Sequence, residues 1–336
     1  MIRMADLKFG VMLPVMIPLG PRPLPLYHAL QYGYRMLDLD LVKEAALEAE
    51  RLGYHSIWVS DHFSRAACRE RPECWTTMTW LAALTSRIRI GSMVLCNLYR
   101  HPSLLAKMAS TLDVLSGGRL EFGIGACWSE DECADRGMGW PSNPVRLRMI
   151  REAVEICKGL WTQETTTYNG KCYRLENVYS EPKPLQKPHP PVMIGGGGEQ
   201  LTLKIVARHA DKSNFGGGLG NLKRRINILR RYCELIGRDF DSIEKTSNIA
   251  VVVHESEEKH VEDMRRRWEA GGSPGSFEGW LEKAEAFYIA GTPEDCVEQL
   301  RPYVELGVSM FVIRFGDIPS LEGMKLFVEE VAPNLR

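Results

Sequence analysis

Short apolar segments alternate with longer helical patterns from one end of the chain to the other. The apolar segments are rich in Val, Ile and Phe and predict eight buried strands. The predicted strands are Lys8–Leu13, Ser56–Ser60, Ile88–Leu95, Leu120–Gly125, Val192–Gly195, Lys212–Phe215, Ile249–Val253 and Met310–Phe315. Strands that alternate with helices form parallel sheets, and eight repeats fit a closed barrel better than an open doubly wound sheet. The alternation therefore predicts an α/β fold, a (β/α)8 TIM barrel.

Five segments between the predicted strands carry apolar residues at three- and four-residue steps, as helices that pack on a parallel sheet do. They are Leu39–Leu52, Pro102–Ser116, Val145–Trp161, Leu201–His209 and Pro293–Leu306. The last of these begins with a clear start signal. Thr292-Pro293-Glu294-Asp295 has the order of an N-cap, a first-turn proline and acids that the helix dipole favours.

Two stretches do not fit a bare barrel. Ile17–Tyr34 follows the first predicted strand and is rich in proline and aromatic residues. Thr165–Pro190 contains Tyr168-Asn169-Gly170-Lys171, which predicts a hairpin turn. Barrels of this class commonly form one domain well beyond about 200 residues. We therefore predict a single domain over residues 1–336 with two insertions.

The charge balance gives no reason to expect a polyanionic partner. The chain has 42 basic and 43 acidic residues, so nucleic acid and anionic membranes are not favoured, and a small-molecule substrate is the expected partner. The sequence lacks a signal-peptide pattern and an apolar stretch of about 20 residues, so we expect a cytoplasmic protein. Its nine cysteines include no C-x-x-C pair, and reduced, mostly buried thiols are expected.

A run of four glycines, Gly195–Gly198, follows the fifth predicted strand and precedes the helix that begins near Leu201. Glycines at such a place let backbone N–H groups approach an anion closely, and the positive end of the helix dipole favours the same ligand. The alternative is a flexible strand-to-helix turn. We favour a phosphate-binding cradle.

Polar residues gather at the carboxyl ends of the strands, where barrel enzymes carry their active sites. Asp61 and His62 follow the second strand, and His62 is suited to bind a heterocycle or to transfer a proton near neutral pH. Alternatively, Asp61 caps a helix or loop and His62 is solvated. Trp128 follows the fourth strand, either lining a pocket or packing on a loop. Beside it, Cys127 has no neighbouring base in the sequence, which favours an inert thiol.

Other sequence features narrow the chemistry. The clusters Lys223-Arg224-Arg225 and Arg265-Arg266-Arg267 are expected on solvated helix faces, with contact to an anionic cofactor tail as the alternative. The sequence has no H-E-x-x-H, G-x-S-x-G, Walker or initial G-x-G-x-x-G motif. A cofactor must then supply the chemistry, or the enzyme is a metal-free lyase or isomerase. We predict no metal site.

Six modest motifs occur in a characteristic order along nearly the whole chain. They are Trp58–Phe63, Tyr99–Pro102, Ser116–Leu120 leading to Gly123–Gly125, Ile194–Gly198, Gly291–Glu294 and Arg314–Asp317. In this order they resemble the bacterial luciferase-like flavin-dependent oxidoreductases. Within that superfamily the sequence is most similar to the branch that uses the deazaflavin coenzyme F420.

The resemblance implies a site built around the coenzyme ring. A non-proline cis peptide bond near Met93–Val94 would lie behind the ring, and the coenzyme tail phosphate would meet the glycine run. The residues that this assigns to coenzyme binding are Met93, Val94, Cys96, Asn97, Cys127, Trp128, Gly195, Gly196 and Gly197. Asp61 and His62 would lie near the ring as the catalytic residues. Family members often have Gly in place of Cys127, and some have a glutamate near Trp128, which here comes only at Glu130.

The implied reaction is hydride transfer between F420 and a small organic substrate, with protein groups that orient and polarise the partners. Two alternatives stay open. One is an FMN-dependent luciferase-like monooxygenase that uses reduced flavin and oxygen, and the other is a non-catalytic flavin-binding barrel. The family also implies a homodimer.

Overall fold

The protein is described by a computed structural model over residues 7–15, 37–63, 70–216, 218–271, 275–285 and 287–335. The insertion predicted at Ile17–Tyr34 lies outside these residues. No helix within the described ranges is long and apolar enough to cross a membrane. The same ranges contain no group of three or more His, Cys, Asp or Glu side chains placed to hold a metal ion.

All eight predicted strands are present. The strands are β1 (Lys8–Met12), β2 (Ser56–Val59), β3 (Arg89–Ser92), β4 (Leu95–Cys96), β5 (Leu120–Gly125), β6 (Thr165–Asn169), β7 (Arg174–Tyr179), β8 (Val192–Gly195), β9 (Lys212–Phe215), β10 (Glu244–Val253), β11 (Ile289–Gly291) and β12 (Val308–Phe315). The third predicted strand is divided into β3 and β4. The short strand β11 was not predicted, because three residues carry too little pattern.

The main sheet confirms the predicted barrel. Its strand order is β11-β10-β12-β1-β2-β3-β5-β8-β9, with β4 beside β5, and a further pairing of β10 with β9 closes it. Eight strands thus form the closed circuit, and the pair β1 and β12, like β5 and β8, runs parallel. The carboxyl ends of parallel strands lie at the same end of a barrel, so the loops that follow β2, β4, β5 and β8 can build one site.

The five predicted helices are present with ends that differ by no more than two residues. The helices are α1 (Leu39–Arg51), α2 (Cys74–Leu84), α3 (Pro102–Leu115), α4 (Glu130–Ala134), α5 (Asn143–Thr162), α6 (Thr202–His209), α7 (Leu219–Leu235), α8 (Glu257–Gly271), α9 (Phe277–Glu285), α10 (Pro293–Glu305), α11 (Glu322–Leu326) and α12 (Ala332–Leu335). At the start of α10, Thr292 and Asp295 form the reciprocal capping box that its sequence predicts.

The chain divides into two compact units. The first unit comprises the described residues of 1–57, 63–72 and 247–336, and the second comprises 58–62 and 73–246. Phe9 centres an aromatic core in the first unit, 5.9 Å from Phe311 and 5.3 Å from Phe327 between ring centroids. In the second unit, Phe122 and Trp161 meet edge to face at 5.1 Å. A single domain over residues 1–336 stays a prediction.

The hairpin predicted within Thr165–Pro190 is present as the antiparallel pair β6 and β7. Gly170 closes its turn by donating its N–H to the Tyr173 carbonyl at 2.9 Å. The fully buried carboxylate of Glu152 accepts hydrogen bonds from three successive backbone N–H groups of this turn, those of residues 171, 172 and 173. A buried helix side chain therefore fixes the hairpin and, with it, the side chain of Tyr173.

Candidate active site

A bulge separates β3 from β4 in what the sequence predicts as one strand. The Met93–Val94 peptide bond within it is cis, which confirms the position that the family resemblance implies. The Val94 side chain fills the space beside two glycines, because a Cβ on Gly125 or Gly195 would lie 2.7 or 2.9 Å from it. A Cβ on Gly123 would lie 2.1 Å from the last carbonyl oxygen of β3. Glycine at these positions therefore leaves the room that the bulge requires.

Asp61 is a buried anchor between two strand ends. Its carboxylate is 5% exposed and accepts the Cys96 backbone N–H at 2.9 Å. Arg100 binds both of its oxygens, at 2.8 and 3.2 Å, and also donates to Glu73. Burial alone would lower the pKa of Arg100, but the Asp61 and Glu73 carboxylates raise it above its ordinary value. Asp61 thus joins the segment after β2 to β4 through the Cys96 N–H, and it also binds Arg100, which stays charged.

His62 forms a dyad with Glu132, a residue of α4. The Nδ1 atom of His62 lies 3.0 Å from a Glu132 carboxylate oxygen, and Glu132 is 2% exposed. A carboxylate only accepts, so Nδ1 carries a proton and the lone pair of neutral His62 is on Nε2. Tyr99 donates its hydroxyl to the same carboxylate at 2.9 Å. Burial and the Glu132 carboxylate raise the pKa of Tyr99, so its phenol stays protonated.

Trp128 lies beside the dyad. Its ring meets the His62 ring edge to face, with centroids 5.2 Å apart. The side chain is 63% exposed, so it has a large apolar face that a planar ligand can cover. Of the two alternatives for Trp128, this exposure favours a side chain that lines a pocket over one that is buried against a loop.

Asn97 offers an unsatisfied acceptor. Its side chain is 3% exposed, and its Nδ2 donates to the Tyr173 hydroxyl at 3.3 Å. Its Oδ1 atom is buried and has no hydrogen-bond partner among the described residues. A buried acceptor without a partner costs about 1–3 kcal/mol, so natural structures seldom retain one without a ligand or water. Asn97 is suited to accept a hydrogen bond from an N–H group of a ligand ring.

Cys96 and Cys127 form a disulfide bond; they are 31 positions apart in the sequence, and their Cα atoms are 5.0 Å apart. The expectation of reduced thiols is therefore wrong for this pair. The cause is the pairing of β4 with β5, which places Cys96 opposite Gly125 and brings Cys127 within reach. The expectation holds for the other described cysteines, which are free: Cys74, Cys133, Cys157, Cys172, Cys233 and Cys296.

The glycine run ends β8 and leads to α6. Gly196 has φ +121°, a conformation that L side chains rarely adopt. A Cβ on Gly198 would lie 2.6 Å from the Thr202 hydroxyl oxygen, and one on Gly197 would lie 2.3 Å from Cζ of Arg225. Exposed backbone, a hydroxyl, a guanidinium and a helix N-terminus thus converge on the run, an arrangement that suits phosphate.

Arg225 corrects one sequence expectation. The cluster Lys223-Arg224-Arg225 does lie on α7, and its first two residues are exposed. Arg225 itself is half-buried against Gly197, and it donates to the Gly216 carbonyl. Its Nε is buried and lacks a hydrogen-bond partner within the part of the chain that the structure describes. The guanidinium therefore belongs to the cradle and retains an unused donor.

The second cationic cluster lies in the first unit. Arg265 and Arg266 are exposed, as expected, whereas Arg267 is half-buried. Arg267 donates to Asp263 at 2.6 Å and to the Gly316 carbonyl at 2.8 Å. This arginine thus has a structural role at the end of β12.

The residues that the sequence assigned to the site lie at the carboxyl ends of β2, β4, β5 and β8 of the second unit. Sequence reasoning missed Glu132, because Glu130 is nearer to Trp128 along the chain, yet Glu130 is exposed and Glu132 faces His62. It also missed Tyr173, because the hairpin that carries it was predicted only as an insertion into the barrel. The acidic run that begins α4 was the available signal for Glu132.

The unsatisfied atoms define what this site can hold. Asn97 Oδ1 follows β4, Arg225 Nε lies against Gly197 after β8, and the Val94 bulge packs on glycines of both β5 and β8. A planar heterocycle with N–H donors and an anionic tail would satisfy both atoms. Fold and site together define an oxidoreductase-type (β/α)8 barrel for a flavin-like coenzyme.

The family model of the luciferase-like monooxygenases matches residues 8–310, so the chain belongs to that family. An F420-dependent glucose-6-phosphate dehydrogenase from Amycolatopsis mediterranei (strain U-32) is 27% identical over 333 residues, 92% of this chain and 96% of that protein. A similar enzyme with the same name from Kribbella flavida is 28% identical over 332 residues, again 92% and 96% of the two chains.

A solved structure supports the same fold. An F420-dependent secondary alcohol dehydrogenase in complex with an F420-acetone adduct aligns with a TM-score of 0.76 at 22% identity, and the alignment covers 98% of this chain and 99% of that chain. The predicted family and the predicted barrel are both confirmed.

Proposed function

We propose that this protein is an F420-dependent oxidoreductase that transfers a hydride between the deazaflavin and a small organic substrate. The observation that carries the proposal is the pair of unsatisfied buried atoms, Asn97 Oδ1 and Arg225 Nε, in the candidate site. The named activity of the full-length relatives supports F420 as the coenzyme.

Each part of the site has a role in holding the coenzyme. Val94 would support the ring, and Asn97 would accept a hydrogen bond from it. The backbone of Gly196 and Gly197, together with Arg225, would hold the tail phosphate. The bound deazaflavin supplies the carbon that accepts or donates the hydride.

The polar residues after β2 have separate roles. Asp61 positions Cys96, because both of its oxygens already accept hydrogen bonds within the protein. His62 is the residue that moves a proton, since Glu132 fixes its ring with Nε2 as the acceptor. This geometry favours a substrate whose oxidation releases a hydroxyl proton, and His62 would return that proton in the reverse direction.

FMN is the second candidate coenzyme, with a monooxygenase reaction. FMN has a similar three-ring system and a phosphate tail, so the bulge and the cradle fit it as well. A solved riboflavin lyase with modified FMN aligns with a TM-score of 0.78 at 16% identity, over 98% of this chain and 91% of that chain. This likeness supports the fold.

We also propose that the protein works in the cytoplasm as a homodimer. The free thiols among the described cysteines are typical of a reducing compartment. The dimer follows from the family resemblance, and sedimentation equilibrium of the purified protein tests it, since a monomer would contradict it.

Anaerobic titration with each coenzyme, followed by its fluorescence, tests the proposed function. We expect F420 to bind more tightly than FMN and Asn97→Leu to weaken F420 binding about tenfold, because leucine has similar size but no acceptor. Gly139→Ala is the control, because a Cβ there would meet nothing within 4 Å. Equal F420 affinity in wild type and Asn97→Leu would refute the assigned role of Asn97.

A further inference from the structure

The Cys96–Cys127 disulfide lies within the residues assigned to the coenzyme ring. Cys96 ends β4, is 6% exposed and donates its N–H to Asp61. It directly precedes Asn97, the residue with the unsatisfied acceptor. Cys127 follows β5, is half-buried and directly precedes Trp128. A change at either sulfur therefore affects both Asn97 and Trp128 in this site.

The two strands do not need the disulfide to stay together. Backbone pairing already joins Cys96 to Gly125, and the Asn97 N–H donates to the Gly125 carbonyl at 3.2 Å. The bond instead constrains the segment just after β5. The preceding residue, Ala126, is already held, because its carbonyl accepts a hydrogen bond from Arg146 at 3.2 Å. The stretch that the disulfide itself constrains is therefore short.

Cys127 is held in an unfavourable backbone conformation. Its φ is +61°, in the left-handed region that favours glycine. Once the disulfide is reduced, Cys127 lowers its backbone conformational energy by leaving this region, and Trp128 moves with it. Since the Trp128 ring lies 5.2 Å from that of His62, this release changes the surroundings of the dyad too.

We propose that Cys96 and Cys127 form a redox-active disulfide that cellular dithiols reduce, and that reduction weakens coenzyme binding. The effect of reduction on coenzyme binding rests on the proposed function. The disulfide preorganises the segment that carries Trp128, and preorganised sites bind more tightly. Among the described cysteines, one bonded pair stands beside free thiols, which also fits a redox-sensing role, the usual role of disulfides in the cytoplasm.

The reduction is an ordinary thiol–disulfide exchange. A thiolate of the dithiol attacks Sγ of Cys127, the more exposed of the two residues, and the Sγ–Sγ bond breaks. Cys96 leaves as a thiolate and takes a proton from water. The second thiol of the reductant then displaces Cys127 from the mixed disulfide. Two electrons and two protons pass from the dithiol to the protein, and the reductant becomes a cyclic disulfide.

Alkylation of the native protein before and after treatment with dithiothreitol tests the redox half. We expect peptides of Cys96 and Cys127 each to gain one alkyl group, and glutathione disulfide to reverse the change. Tryptophan fluorescence should shift on reduction in the wild type and not in Trp128→Phe. Absence of alkylation after treatment, or a fluorescence shift that persists unchanged in Trp128→Phe, would overturn the proposal.

F420 titration of both redox forms tests the second half. We expect reduction to weaken binding about tenfold, and Cys127→Gly to bind with the lower affinity in either buffer. Cys172→Ser, which changes a half-buried free thiol, should retain the redox dependence of the wild type. Equal affinity in both forms would refute the regulatory role and leave the proposed function standing. Absence of F420 binding in both forms would instead refute the proposed function and the affinity change together, whereas the alkylation result still decides whether the disulfide is redox-active.

Discussion

Replacing Asp61 with alanine should destabilise the protein through loss of one buried ion pair. The carboxylate is 5% exposed and accepts three hydrogen bonds, one from the Cys96 N–H and two from Arg100. The substitution leaves that N–H without its acceptor. It also leaves a guanidinium, whose side chain is 11% exposed, with Glu73 as its remaining carboxylate.

The structure sets the size of this loss. Removing one partner of a buried ion pair costs about 3–5 kcal/mol. Glu73 still binds Arg100, but its side chain is 43% exposed, so its contribution is partly screened by solvent. We therefore expect Asp61→Ala to lower the free energy of unfolding by about 3 kcal/mol, and Asp61→Asn by about 2 kcal/mol, because the amide retains one acceptor oxygen.

Equilibrium unfolding in urea measures these values. The double variant Asp61→Ala/Arg100→Met no longer contains the unpaired cation. Its free energy of unfolding should therefore fall by at least about 1 kcal/mol less than the sum of the decreases in the two single variants. Asp135→Ala changes an exposed aspartate of the same unit and should stay within about 0.5 kcal/mol of wild type. A loss for Asp61→Ala no larger than that of Asp135→Ala would refute the reasoning.

Two further predictions concern the bulge and a carboxylate of the first unit. Gly125→Ala would place a Cβ 2.7 Å from Val94, so we expect a loss of about 1–3 kcal/mol in urea unfolding and weaker F420 binding; unchanged values in both measurements would contradict the close packing. Burial would raise the pKa of Asp263, but its hydrogen bonds with His254 and Arg267 lower it to about 2. Since this folded-state pKa lies below the ordinary 3.8, the stabilisation is present above pH 4 and is lost as the pH falls toward 2. Asp263→Asn should therefore cost about 1–2 kcal/mol at pH 7, allowing for solvent screening, and progressively less below pH 4; a cost that does not change with pH would contradict the assignment.

Sequence periodicity located the barrel strands because most of them are buried apolar runs, and buried parallel strands have this pattern. The helices that it missed include two with a weak amphipathic pattern. The helix α2 has the sequence CWTTMTWLAAL, in which no face is strongly polar. The helix α8 has the opposite composition, with EEKHVEDMRRRWEAG carrying few apolar residues. The helix α2 shows no contrast between its faces, and the apolar stripe of α8 consists only of Val261, Met264 and Trp268, too few to identify a helix from the sequence.

The candidate site was predictable where its residues follow directly on strands. Asp61, Asn97 and the glycine run come immediately after buried segments, so their common position followed from the barrel. Glu132 and Arg225 lie on helices, and which helix residue faces a site depends on packing that the sequence does not display. The Cys96–Cys127 bond likewise depends on the register of β4 against β5.

The central claim is that this chain binds F420 at the ends of β2, β4, β5 and β8. Anaerobic equilibrium titration of wild type and Gly196→Ala with F420 and with FMN tests it most directly. We expect F420 to bind more tightly than FMN, and Gly196→Ala to lose at least about tenfold in F420 affinity, because alanine is strained at φ +121°. Tight FMN binding with oxygen consumption and no binding of F420 would contradict the claim.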